Sequence, residues 1–217
     1  MKSSQEFIGI LYLRNESSSN IQKIRINKRF MKRPTILWMT SRSRSSLVAK
    51  IFLNHGLWSD DPVSFGSSYP SYENEYLKSL QKKYNNNFLP VMKETKESDS
   101  FVEDVKRYVG SRNCCFKTGI EHFNMWKAFE PYNIFIRRDL SEVVNSLKRK
   151  KPDIDVESAR KVAQWRYQYM DKCKELYGGV NVDTGKIING DYEEVYKALE
   201  YCNIKPNDEL ISKSVSK

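Results

Sequence analysis

The stretch from residue 34 to residue 56, PTILWMTSRSRSSLVAKIFLNHG, most narrows what this chain can fold into. Ile36, Leu37, Trp38 and Met39 form an unbroken apolar run, the mark of a strand covered on both faces, as the central strand of a parallel sheet is. Residues 40–46 break the run with hydroxyl and guanidinium side chains, and Leu47, Val48, Ile51 and Phe52 then recur at helical spacing. Ser45 or Ser46 is placed to cap that helix and Gly56 to end it. A helix start offers unpaired N–H groups and the positive end of the dipole to an anion. Arg42 and Arg44 add charge there, while Ser43, Ser45 and Ser46 add donors, so the turn predicts a site for phosphate or sulfate. An Arg/Ser-rich turn standing alone is more often a solvated loop; its position between a buried strand and a capped helix favours the anion site.

A second stretch, residues 133–150, repeats the arrangement. Ile134, Phe135 and Ile136 read as a buried strand that ends in Arg137, Arg138 and Asp139, and Val143, Val144 and Leu147 anchor the helix that follows. A guanidinium at a strand end grips phosphate in two places, and Ser146, two helical turns on, adds a hydroxyl. The same residues in isolation read as a cap with an ion pair.

The first turn lacks the glycines and lysine of the G-x-x-x-x-G-K-[ST] loop, which disfavours a kinase or ATPase. It resembles instead the 5′-phosphosulfate loop of sulfotransferases that use 3′-phosphoadenosine 5′-phosphosulfate (PAPS), in which a strand leads into [RK]-S-G-[ST]-[ST]-[LW] and a helix. On that pattern Arg42 falls on the catalytic basic position, Ser43 on the serine, Ser45 and Ser46 on the hydroxyl pair and Leu47 on the apolar residue. Arg44 stands where the family has glycine. The family's 3′-phosphate motif has a strand-end arginine, then Asp/Asn-Pro, and a serine eight residues after the arginine. Arg138 and Ser146 keep that spacing, with Asp139 present and Leu140 in place of proline.

The resemblance implies a three-layer α/β domain like that of the P-loop NTPases, with a central parallel sheet and helices on both faces. It implies PAPS as donor, no metal, and a hydroxyl or amine of a small molecule or glycan as acceptor. Arg42 would be catalytic, with Arg42, Ser43, Arg44, Ser45, Ser46, Arg138 and Ser146 holding the donor. For the general base, Asp61 at the end of the segment after the first helix is the nearest match, and Asp60 is second to it. Residues 113–118, NCCFKT, read as a further buried strand. Cytosolic members of the family end such a strand with K-T-H, whose histidine is the base; here Lys117 and Thr118 are followed by Gly119, and Glu121 and His122 are the alternatives.

The rest of the chain gives scaffold. Helices are expected over residues 72–84, 101–109, 121–129, 155–177 and 191–202, short strands over 57–59 and 180–182, a turn over 183–186 and a polar tail from Pro206. The formal net charge is +10, but residues 1–33 carry eight Lys/Arg against Glu6 and Glu16 and so account for +6 of it. That leaves a mildly basic body, residues 34–217, after an arm to which the sequence assigns no role. A nucleic-acid binder spreads its charge over a face, so nucleic acid ranks below a specific phosphate site as partner. A non-catalytic nucleotide or RNA binder and a small-molecule kinase are the alternative functions. Four cysteines without C-x-x-C pairing, and only His55 and His122 besides, argue against structural zinc. With no signal-like or membrane-spanning stretch, the expected location is the cytoplasm, away from membranes.

Overall fold

The computed structural model describes residues 32–59, 72–84 and 98–216. Most of the basic arm, Asp60 and Asp61, and the connector at 85–97 lie outside the described residues.

Four strands form one parallel sheet: β1 (Thr35–Met39), β2 (Cys115–Gly119), β3 (Tyr132–Arg137) and β4 (Val180–Asp183), in the order β2-β1-β3-β4. β1 is central, and the alternation of its side chains builds two cores. Ile36 and Trp38 face one core with Phe116 of β2 and Phe135 of β3; Leu37 faces the other with Cys115, Ile134 and Ile136. The first core is closed by α2 (Glu75–Tyr84), α3 (Asp99–Val109), α4 (Phe123–Trp126) and α6 (Val156–Tyr177). The second is closed by α1 (Ser45–Asn54), α7 (Thr184–Ile188), α8 (Glu193–Tyr201) and α9 (Asp208–Val215). α5 (Leu140–Lys150) follows β3 and packs along α6. The molecule is thus an α/β three-layer fold with helices on both faces of a parallel sheet, as the sequence predicts.

The strand order places one switch point. From β1 the chain crosses to β2 on one side, and from β3 it crosses to β4 on the other, so the connections diverge between the carboxyl ends of β1 and β3. Ligands of open parallel sheets bind in such a crevice. The loop after β1 and the Arg138 corner after β3 both open into it.

Several local expectations are corrected. Within 57–59 only Trp58 pairs, its N–H donating to Asn113 O (2.7 Å) and its carbonyl accepting from Cys115 N (2.9 Å), a single parallel bridge on the outer edge of β2. The segment 183–186 is the start of α7 and not a turn, because the Asp183 carboxylate caps it by accepting from Gly185 N at 2.7 Å. The polar tail holds α9, which Asn207 caps and which buries Ile211. Asn54 Nδ2 donates to Ser214 Oγ (2.7 Å), docking α9 on α1. The helix predicted at 121–129 is three short pieces, 3-10, α and 3-10, spanning Ile120–Phe129. α1 also starts differently: Arg44, not a serine, holds the N-cap position, and no side chain caps the helix.

Candidate functional site

The loop between β1 and α1 is shaped by two left-handed residues, Arg42 (φ 69°) and Arg44 (φ 60°, ψ 26°). Non-glycine residues rarely adopt that conformation. Alternating left- and right-handed residues curl the backbone so that successive N–H groups face one concavity, an arrangement that binds anions. The first turn of α1 supplies more N–H groups without intrahelical acceptors. Arg44 has a left-handed backbone, which suits glycine, and its side chain is exposed.

Ser43 at the centre of the loop is fully buried, and its Oγ has no hydrogen-bond partner among the described residues. A buried hydroxyl without a partner is costly and marks a place where a ligand or water belongs. Ser45 Oγ donates to Met39 Sδ (3.0 Å), holding the loop to the strand it leaves. Ser46 Oγ accepts from Lys117 Nζ (3.0 Å). Lys117 lies opposite Leu37 in the β1–β2 register, on the α1 face, and its ammonium also lies 3.6 Å from Glu73. Burial pushes the Lys117 ammonium below its ordinary pKa, an effect that Glu73 opposes. Burial acts in the reverse sense on Glu73, but the ion pairs with Lys78 and Lys117 outweigh it and hold that carboxyl below its ordinary range.

The two predicted anion motifs meet across the switch point. Arg42 Nε donates to Ser146 Oγ (3.0 Å) on α5, although the residues are 104 positions apart. Arg138 Nη1 donates to the Arg42 carbonyl (2.9 Å), and Arg138 Nε donates to Glu142 Oε2 (2.7 Å). Arg138 is buried, and the Tyr167 hydroxyl on α6 fixes its backbone by donating to its carbonyl (2.8 Å) and accepting from its N–H (3.1 Å). Thr184 Oγ1 lies within hydrogen-bond reach of Ser43 O (3.0 Å) and Arg137 O (3.1 Å), tying both corners to α7. Arg44 completes a cationic group. Partial burial and then the neighbouring Arg138 charge lower its pKa, with Glu142 opposing and Arg149 adding to the fall.

β2 ends at Gly119, directly after Lys117 and Thr118. A Cβ on Gly119 would lie 2.5 Å from the Glu121 carboxylate, which is folded back over that position. Arg166 Nη2 holds Glu121 Oε1 at 2.8 Å. Burial lowers the pKa of His122, against the raising effect of Glu121 and with a further lowering by Arg166.

Of the predicted residues, Arg42, Ser43, Arg44, Ser45, Ser46, Arg138 and Ser146 are thus gathered at one crevice, and Asp60 and Asp61 lie outside the described residues. His55 supports the end of α1, since its Nδ1 lies 2.8 Å from Ile51 O and its Nε2 accepts from Asn207 N. The sequence reading left out Lys117, Thr184 and Tyr167 as site residues. Lys117 carried a signal, as a lysine inside an otherwise apolar strand; Thr184 and Tyr167 carried none. All four cysteines are free and buried, and burial pushes the Cys114 and Cys202 thiols up to about 12. Among the described residues no three or more His, Cys, Asp or Glu side chains gather as a metal site, and no helix is long and apolar enough to cross a membrane.

No family model and no curated protein sequence matches this chain. A solved structure does: the sulfotransferase domain of the olefin synthase from Synechococcus PCC 7002, with a TM-score of 0.51 over 86% of this chain and 78% of that one. At 12% identity the likeness is one of fold. The chain therefore shares with that domain a parallel α/β sheet flanked by helices on both faces.

Proposed function

We propose that the protein is a sulfotransferase that moves a sulfuryl group from PAPS to a hydroxyl or amine of a small molecule or glycan. The observation that supports this reading is the meeting of Arg42, Ser146 and Arg138 at the switch point, which brings together the two corners predicted to take anions. One corner suits a 5′-phosphosulfate and the other a 3′-phosphate, and a donor bearing both would span them. The fold of the olefin synthase domain supports the same class.

In this reading the loop backbone, the α1 start and Arg42 neutralise charge that builds on the leaving phosphate, while Arg138 and Ser146 select the 3′-phosphate. Such a reaction rests on positioning and charge stabilisation, as phosphoryl transfer does. The Lys117 ammonium, on Ser46 at the rim of the same loop, adds charge on the β2 side.

Calorimetry with 3′-phosphoadenosine 5′-phosphate (PAP) tests the donor site, with ATP as competitor. The expected result is binding that ATP does not displace and that Arg138→Ala weakens at least about tenfold, the loss of one charged hydrogen-bonding group. A folded wild-type protein that ignores PAP would remove the proposal. RNA binding with a steep salt dependence would then favour the nucleic-acid alternative.

A further inference from the structure

The end of β2 holds an unusual concentration of unsatisfied polarity. Glu121 Oε2, His122 Nδ1 and Arg166 Nε are all buried and have no hydrogen-bond partner among the described residues. Native structures rarely leave such atoms unpaired, and three from mutually interacting side chains mark a place where a polar group from outside completes the network. The place borders the anion loop. Gly119 pairs in register with Met39, the last residue of β1 before the loop, so their Cα atoms are about 4.8 Å apart by sheet spacing. The Glu121 carboxylate lies over Gly119, in space that any other residue's Cβ would fill. One of its oxygens is anchored on Arg166, leaving the second as the acceptor available to an incoming proton.

Resting on the sulfotransferase reading, we propose that Glu121 is the general base toward the acceptor, with Arg166 as the residue that positions it. The acceptor oxygen attacks the donor sulfur and forms the new S–O bond; the bond from sulfur to the bridging phosphate oxygen breaks, and its electron pair leaves on PAP. The acceptor's proton passes to Glu121 Oε2. The absence of a side chain at Gly119 is what allows the carboxylate to reach the strand end.

The test uses the full chain with PAPS and water as acceptor, following PAP release, together with PAP calorimetry and thermal unfolding. Glu121→Gln keeps the shape and is expected to slow PAP release by at least about 100-fold, the usual contribution of a general base, with PAP affinity unchanged within about twofold. Gly119→Ala keeps the carboxylate but pushes it aside; the glycine's own φ of −69° suits alanine, so the variant folds and is expected to lose rate in the same direction. Arg166→Ala lowers the rate without changing PAP affinity, and Arg166→Lys restores part of it. PAP binding with undiminished release in Glu121→Gln overturns the base while leaving the sulfotransferase reading intact. A wild type that binds PAP but cleaves PAPS no faster than free solution overturns the base as well, as does rate loss in His122→Phe with Glu121→Gln unaffected. Failure of the wild type to bind PAP is failure of the underlying reading.

Discussion

Arg44 shows at the scale of one residue how charge and backbone conformation compete. Its left-handed backbone costs roughly 1 kcal/mol relative to glycine, while its guanidinium extends the cationic group around Arg138. Arg44→Gly is therefore expected to move two measurements in opposite senses: the unfolding midpoint in urea holds or rises, and PAP affinity falls several-fold. Parallel movement would mean the side chain is structural only. Arg42→Ala is expected to cut sulfuryl transfer by at least about 100-fold, the scale of losing one donor to a developing oxyanion. Its PAP affinity should fall less, since Arg138 remains in place, and wild-type rates would end the catalytic role. At this scale the sequence was most informative. The residues of the two motifs lie together after the ends of β1 and β3, because a strand-end position and a fixed helical offset determine where a side chain emerges. The cap was not legible, since Ser45 sits one residue inside the helix that it was expected to start, and left-handed arginines have no sequence signature.

Among the elements, β2 and α1 are joined at the site through one buried ammonium. Lys117 reaches Ser46 and Glu73 from mid-strand, so it carries charge to the rim of the loop, and burial already weighs against that charge. Removing one partner of a buried ion pair is costly when the other charge is left alone, but Glu73 keeps its ion pair with Lys78 when Lys117 is replaced. Lys117→Met is thus expected to unfold at nearly the wild-type urea concentration and yet bind PAP at least about tenfold more weakly, by the loss of one charged donor. Equal affinity in the two proteins would show that Lys117 serves only the fold. Elements with strong periodicity or continuous apolar runs, β1, β3, α5 and α6, were legible because their own pattern dictates them. α7 and α9 were not: each is short, largely polar and set by a single carboxylate or amide cap plus one or two buried residues.

For the whole molecule, the pH dependence of stability contains one assignable histidine contribution. His122 has a folded pKa below its ordinary 6.5, chiefly through burial. As pH falls below 6.5 the unfolded chain takes up a proton that the folded chain still refuses, so stability is lost through the window between 6.5 and the lower folded value. The contribution is complete above 6.5. Thermal midpoints taken at neutral and mildly acidic pH should differ less in His122→Phe than in the wild type; an unchanged difference would place the loss elsewhere. The three-layer architecture was legible at this scale because three strand-then-helix units predict a parallel sheet. Strand order was not, and it is strand order that brings Arg42 and Ser146 within 3.0 Å.

Many of the bonds that shape the crevice end on main-chain atoms. Arg138 holds the carbonyl of Arg42, Thr184 reaches the carbonyls of Ser43 and Arg137, and Tyr167 holds both backbone groups of Arg138. A carbonyl is present whatever side chain its residue bears. Substitution at Arg42, Ser43 or Arg137 therefore leaves each acceptor in place, and these ties to the loop survive a change of letter there. A crevice held in this way depends on the path of its backbone more than on the letters of its loop.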